Sequence, residues 1–322
     1  MGDAERRSRV RVRLRDDTDS IELAVVNTAQ LSSQPARHLR KDFWLTEVLR
    51  ACVENADQIG VSVVFKGGTS LSKIFKLIDR FSEDVDLLVI APGSNYQVEK
   101  AMKSLVTAVE RSVGLVARLE KETVHKGDFR ANYFPYPNAP SGDRGVKLEL
   151  GNRGGAVPSQ LRTITSPVAE SAARLLATPV EEAWSFQVSV LSPARTLVEK
   201  LVILHEAHYR QSDNRDERAR KVVRHYYDVY QLLNSDEVRT DLEELGTMVT
   251  AREVCQHSKA LGVPSTSYPT GGFATSMALN RDATALQRKE YTGVIRDLLW
   301  PGAILPTFED CINAVKFYGD IL

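Results

Sequence analysis

The chain has 322 residues, with 42 Lys and Arg against 42 Asp and Glu, and 43% of it is hydrophobic. That length leaves room for two domains, and the composition is that of a soluble globular protein, which excludes a disordered chain and a uniformly basic nucleic-acid coat. Zero net charge still permits patches. Arg6, Arg7, Arg9, Arg11, Arg13 and Arg15 gather near the N-terminus, while Asp236, Glu237, Asp241, Glu243 and Glu244 make a later stretch acidic, so any attraction to nucleic acid has to come from a local face. Cys52, Cys255 and Cys311 are too few and scattered for a disulfide framework or a zinc site. With no apolar signal core and no apolar run of membrane-spanning length, the expected location is cytoplasmic and reducing.

In chain order, residues 1–20 read as a basic arm in which Val10, Val12 and Leu14 alternate with arginines. It is either an edge strand or, as termini generally favour, a mobile tail. Residues 21 to about 57 show helical spacing, as in Phe43, Trp44, Val48 and Leu49. Residues 61–65 form a short β-branched run between Gly60 and Gly67-Gly68, and residues 71–78 resume helical spacing, which predicts strand, glycine turn, helix. A buried strand at 84–90 and an amphipathic helix at 95–113 follow. Within the Gly-, Pro- and aromatic-rich stretch 115–157, residues 146–150 are the one clean strand.

Another strand falls at 186–190. Ser192 and Pro193 then open a helix with Leu197, Leu201, Leu204 and His208 along one stripe, and a second helix spans about 215–233. A loop over 262–272 precedes two further helical segments. The pattern predicts an α+β protein: a sheet with helices packed on it over 21–191, and a helical domain over 192–322.

The stretch that carries chemistry is Lys66-Gly-Gly-Thr-Ser-Leu-Ser-Lys73 followed by Arg80-Phe-Ser-Glu-Asp-Val-Asp-Leu87. A strand delivers Gly67 and Gly68 to a turn, and Thr69 and Ser70 begin the next helix. That is either an ordinary capped turn or a cradle for a phosphate chain. Asp84 and Asp86 are one residue apart on a strand, so their carboxylates share a face while Val85 and Leu87 point inward. Two adjacent like charges call for a cation, and carboxylates together with substrate phosphates are the usual ligands of magnesium.

Gly-Gly, a helix, then Asp-x-Asp on a strand resembles the nucleotidyltransferase fold of polymerase-beta-like enzymes. The forms Gly-Gly-Thr-Ser-Leu-Ser-Lys and Arg-x-Ser-x-Asp-x-Asp-Leu resemble more specifically the AbiEii/AbiGii toxin family, which includes MenT-type toxins. The separation of Gly68 from Asp84 is longer than the broad superfamily pattern allows and suits the toxin family. Two later motifs extend the likeness. Lys147-Leu-Glu149-Leu150 matches the expected third acidic strand. Glu199-Lys200-Leu201 with Tyr227-Asp228-Val-Tyr230 matches a helix pair bearing a lysine and an aspartate. The resemblance covers about residues 40–322, and residues 1–20 have no counterpart in it.

That resemblance implies a polymerase-beta-like mixed sheet with a helical C-terminal domain and an active cleft between them. It assigns Asp84 and Asp86 to a two-metal magnesium site, with Glu149 either as a third ligand or as a base near the attacking hydroxyl. Lys66, Gly67, Gly68, Thr69, Ser70, Arg80 and Ser82 would bind the NTP donor, Lys200 would contact phosphate, and Asp228 would be its polar partner. The implied acceptor is RNA, best the tRNA 3′ end, so that translation is blocked, with a cognate antitoxin encoded nearby; neither DNA nor membrane is expected as a partner. Ser82 either orders the metal strand or, as the resemblance also suggests, takes a regulatory phosphate. Arg210, Arg215, Arg218, Arg220, Lys221 and Arg224 form either an RNA-binding face or a solvated helix face, since Asp213, Asp216 and Glu217 interleave.

Two other functions use some of the same residues: nucleotidyl transfer to a protein or small molecule, and a non-catalytic RNA- or partner-binding module. A P-loop is excluded because Gly-x-x-x-x-Gly-Lys-Ser/Thr does not occur at Lys73.

Overall fold

The computed structural model describes residues 12–120, 127–152, 154–209, 215–260, 267–280 and 284–322. Two compact units share the chain. The first comprises residues up to Phe65, Glu83–Gly151 and Leu161–Ser189; the second comprises Lys66–Ser82, Asn152–Gln160 and Val190–Leu322. The division is therefore interleaved, unlike the single boundary expected near residue 192.

Among the described residues seven strands form one sheet: β1 (Ser62–Lys66), β2 (Asp84–Ile90), β3 (Arg118–Leu119), β4 (Phe129–Phe134), β5 (Val146–Gly151), β6 (Ser159–Ile164) and β7 (Phe186–Leu191). Their order is β3-β4-β5-β2-β1-β7-β6. β2 runs parallel to β5, and β4 runs antiparallel to both β3 and β5, so the sheet is mixed. β5 alternates strictly, with Val146, Leu148 and Leu150 buried. In β2 the alternation gives way to a continuous buried run, Leu87–Val89, which is how a strand covered on both faces reads. β3, β4 and β6 are strands that hydropathy patterning did not mark: β3 is two residues long, and β6 is exposed over its first five.

The first unit also holds α1 (Thr18–Ser32), α2 (Ala36–Ile59), α4 (Asn95–Val113) and α5 (Pro167–Leu176); α1 packs on α5, and α2 on α4. Local chemistry sets their ends. Asp17 caps α1 by accepting from the Ser20 amide, Gly60 ends α2 at φ 78°, and Ser94 with Gln97 forms a capping box on α4.

Residues 12–20 are not a free arm, which corrects the expectation of a mobile tail. Val12 bridges to Val180, Leu14 is fully buried, and the Leu14 and Arg15 amides donate to the Glu182 carboxylate. The Arg15 guanidinium bonds Glu181 at 2.7 Å and Glu182 at 2.9 Å, with Glu47 at 3.3 Å. Burial pushes the Glu47 carboxyl up to about 7 against the pull of Arg50 and Arg15. A buried acidic cluster holds this segment, so the charge of Arg15 is not available to a partner. Arg6, Arg7, Arg9 and Arg11 lie outside the described residues.

The second unit contains α3 (Gly67–Ser70), which continues as a π turn to Phe75, and the helices α6 (Pro193–Tyr209), α7 (Arg215–Leu233), α8 (Asp236–Leu245), α9 (Thr247–Ala260), α10 (Ala285–Arg296) and α11 (Phe308–Phe317). Leu71 and Ile78 belong to one core with Leu197, Leu201, Tyr227, Tyr291 and Phe308. The helix expected over 71–78 stops at Phe75, where Lys76 turns left-handed at φ 56° and its amide reaches back to Leu71. The chain then straightens. Arg80 bridges to Leu299, the Phe81 amide donates to Leu298 at 2.7 Å, and the Phe81 ring meets Trp300 edge-on. These contacts explain why Lys66–Ser82 packs with the C-terminal helices.

Candidate active site

Each unit carries one set of the charged residues singled out from the sequence. In the first, register places Asp84 across from Lys147 and Asp86 across from Glu149. Directly paired residues in a ladder point to the same side of a sheet, and all four are half-buried while Val85, Leu87, Leu148 and Leu150 are buried. The result is a face with three carboxylates and one ammonium. Lys147 Nζ lies 2.5 Å from Glu149 Oε1 and 3.3 Å from Glu120 Oε2. Burial works against its charge, yet Glu149 and Asp84 hold the Lys147 pKa above its ordinary value. Lys147 was not marked for a role by any motif, although its alternation with Glu149 along the strand already puts the two on one side.

In the second unit the turn after β1 is packed tightly. Gly67 has φ +81°, the left-handed region that favours glycine. A Cβ on Gly68 would lie 2.9 Å from both Arg80 Nη2 and Ser82 Oγ. The hydroxyls are turned inward: Thr69 donates to Ser82 Oγ at 2.9 Å, and Ser70 donates to the Gly67 carbonyl at 2.9 Å. Thr69 and Ser70 are both buried. They hold the turn together instead of presenting hydroxyls at its surface, which differs from the cradle role expected of them.

Arg80 is likewise interior. Its Nε and Nη2 each bond one oxygen of Asp228 at 2.7 Å, and Lys200 Nζ reaches Asp228 Oδ2 at 2.7 Å. Asp228 is 0% exposed, Arg80 3% and Lys200 4%. Burial would raise the Asp228 pKa, but the charges of Arg80 and Lys200 hold it well below the usual carboxylate range. Lys200 also lies 3.5 Å from His225 Nδ1. Burial, and next the Lys200 charge, push the His225 pKa well down, so the ring is neutral and accepts this contact. Two cations on one carboxylate leave a positive excess in this cluster.

Lys66 Nζ pairs with Glu199 at 3.0 Å. Beside this pair runs a second Gly-Gly loop, Gly154-Gly155, that no motif marked. A Cβ on Gly154 would lie 2.4 Å from Glu199 Oε1 and 3.3 Å from Lys66 Nζ. Arg195, 2% exposed, clamps the loop by donating to the carbonyls of Gly154 and Val157. Of the basic cluster on α7, Arg220 is paired with Glu290 at 2.7 Å. Arg210 lies outside the described residues, as do the side chains of Arg215 and Arg218.

The family profile described as nucleotidyl transferase AbiEii toxin, type IV TA system, matches residues 49–314. The chain belongs to the AbiEii family. Among solved structures it is similar to MenT4, the nucleotidyltransferase toxin Rv2826c from Mycobacterium tuberculosis H37Rv, with 17% identity, coverage of 93% of this chain and 96% of that one, and a TM-score of 0.38. No curated protein matches. The AbiEii match spans both sets of charged residues.

Nucleotidyltransferases of this kind use a divalent metal. The half-buried oxygen donors of Asp84 and Asp86 on one face fit a hard divalent ion of the kind that oxygen ligands hold. Among the described residues no group of three or more His, Cys, Asp or Glu side chains is arranged to hold a metal ion, and Glu149 is engaged by Lys147. No helix among them is long and apolar enough to cross a membrane.

Gly68 offers a direct check on the turn. Gly68→Ala is expected to cost about 1–3 kcal/mol, because Arg80 Nη2 is tied to buried Asp228 and cannot yield. Gly293→Ala, whose added Cβ meets nothing within 4 Å in α10, is expected to be neutral or stabilising by up to about 1 kcal/mol. Chemical denaturation of the two variants makes the comparison.

Proposed function

We propose that this chain is a toxin that transfers a nucleoside monophosphate from an NTP to an RNA acceptor, the 3′ end of tRNA, and so blocks translation in the cytoplasm. The observation that carries the reading is the carboxylate face of β2 and β5, Asp84 and Asp86 with Glu149 across from Asp86, in a chain of a nucleotidyltransferase toxin family. Asp84 and Asp86 would hold magnesium, with Glu149 as a third ligand once released from Lys147, and the ion would supply Lewis-acid polarisation of the phosphates and a lower pKa for the attacking hydroxyl. Through such a cation Asp84 and Asp86 would orient the donor's phosphates for in-line attack: the acceptor oxygen bonds the α-phosphorus, its proton passes to water, and the bond to diphosphate breaks as diphosphate leaves.

Within the second unit the excess positive charge of Arg80 and Lys200 over Asp228 favours a triphosphate, and Lys66, paired with Glu199 at 3.0 Å, would add a cation on release from that partner. Gly67 and Gly68 let the backbone approach it, while Thr69, Ser70 and Ser82 keep the turn rigid. The test is incubation of the purified protein with each labelled NTP, magnesium and either total tRNA or cell lysate. Label on tRNA that periodate-sensitive 3′-end analysis places at the terminus is the expected result. Label entering protein but never RNA overturns the RNA acceptor.

Regulation by the antitoxin is proposed at Ser82. Its Oγ accepts from Thr69 and lies against Gly68, two residues before Asp84. A phosphate there would break the Thr69 contact and place two negative charges beside the turn that receives the donor's phosphates. Mass spectrometry of protein co-expressed with the adjacent gene product should find Ser82 phosphorylated and transfer activity lost; an unmodified Ser82 in inactive protein refutes it.

A further inference from the structure

Lys147 is a cation set inside an anionic face. β5 alternates Val146-Lys-Leu-Glu-Leu150, so Lys147 and Glu149 emerge on the same side, and register brings them beside Asp84 and Asp86. Three carboxylates this close repel one another unless a positive charge lies among them. The ammonium does so, at 2.5 Å from Glu149 Oε1.

It has a second anionic partner away from the Asp84 and Asp86 ladder. Glu120 follows β3, and its Oε2 is 3.3 Å from Lys147 Nζ. Glu120 is itself held, by the Tyr133 hydroxyl at 3.2 Å and by Arg144 at 3.1 Å. Tyr133 is the ladder partner of Lys147 on β4, and its ring centroid lies 5.8 Å from the ammonium, a favourable cation–π position. Lys147 thus has two anchors, one within the carboxylate face and one outside it, reachable by a small rotation of a flexible side chain.

We infer that Lys147 is a resident counter-ion of the carboxylate face, passed from Glu149 to Glu120 when a divalent cation binds Asp84 and Asp86. The inference rests on the metal role proposed above for those aspartates. The incoming cation repels the ammonium and competes for Glu149, while Glu120, Tyr133 and Arg144 keep a prepared place for the displaced charge. Lys147 is a positioning residue: it acts through Glu149 and lowers affinity for metal in the absence of nucleotide, so that metal is held firmly only when it arrives with the phosphates of the donor.

The test is titration of the full-length, nucleotide-free protein with Mn2+, followed by electron paramagnetic resonance, with thermal melts as the measure of folding. Lys147→Gln is expected to bind Mn2+ roughly tenfold more tightly than the unaltered protein, since a nearby like charge is gone. Glu120→Gln removes the outer anchor, leaves the ammonium on Glu149, and is expected to weaken Mn2+ binding roughly threefold or more. Opposite signs from two variants are not the mark of a shared folding defect. Mn2+ affinity in Lys147→Gln equal to or below that of the unaltered protein overturns the inference, as does an unchanged affinity in Glu120→Gln. Asp84→Asn with Asp86→Asn separates the two levels: Mn2+ binding that survives this double change overturns the metal assignment itself, and binding lost there with no gain in Lys147→Gln overturns only the counter-ion role.

Discussion

Replacing Asp84 and Asp86 together with alanine is expected to lower nucleotidyl transfer by at least about 10^3-fold, to abolish growth inhibition on expression, and to leave folding stability within about 1 kcal/mol. The reasoning is electrostatic. Both carboxylates are half-buried on the outward face of β2, while the strand's packing depends on Val85, Leu87, Leu88 and Val89. Removing two adjacent like charges deprives the core of nothing and relieves repulsion, although it also deprives Lys147 of a favourable neighbour. The loss falls on the step in which phosphate charge has to be neutralised. Transfer assays with labelled NTP, run beside thermal melts, check both halves; transfer that persists in a folded double variant would show that the chemistry lies elsewhere.

Asp228→Asn should behave differently, losing both activity and stability. Asp228 is fully buried and accepts two bonds from Arg80 and one from Lys200, all at 2.7 Å. Neutralising it leaves two cations buried without their partner, a change that costs about 3–5 kcal/mol. Because its folded pKa is depressed, the stabilisation it provides is present at neutral pH and is lost only as pH falls through the acid range below the ordinary carboxylate value. Urea denaturation gives the magnitude. The triple replacement Arg80→Met, Lys200→Met and Asp228→Leu is expected to recover much of the stability, since a buried ion cluster can be exchanged for apolar packing, yet to remain inactive. A triple variant with full transfer activity would show that the cluster serves folding alone.

The difference between these two outcomes marks where the sequence was legible. Asp84, Asp86 and Glu149 share a face because a strand has a period of two, and that period is visible in residues 84–90 and 146–150 without coordinates. The same holds for the glycine turn after β1 and for the helices at 95–113, 193–209 and 215–233, whose caps and spacing lie within a few residues of one another. β3, β4 and β6 were not legible. β3 is two residues long and β6 is exposed over its first five, while β4, mostly buried, mixes Arg130 and Asn132 among its apolar residues; pairing partners rather than hydropathy make them strands.

What lay beyond the sequence is who pairs with whom across long separations. Arg80 and Lys200 read as phosphate contacts, and the fold ties both to a shared buried partner, Asp228, while Arg15 read as part of a basic tail but is buried against Glu181 and Glu182. The sequence by itself determined the zero net charge, the acidic strand and the glycine turn, because each depends on neighbours along the chain. Only the tertiary structure decided which of the charges counted at the outset are consumed inside the fold, since ion pairs between residues 28 to 167 positions apart obey no local period.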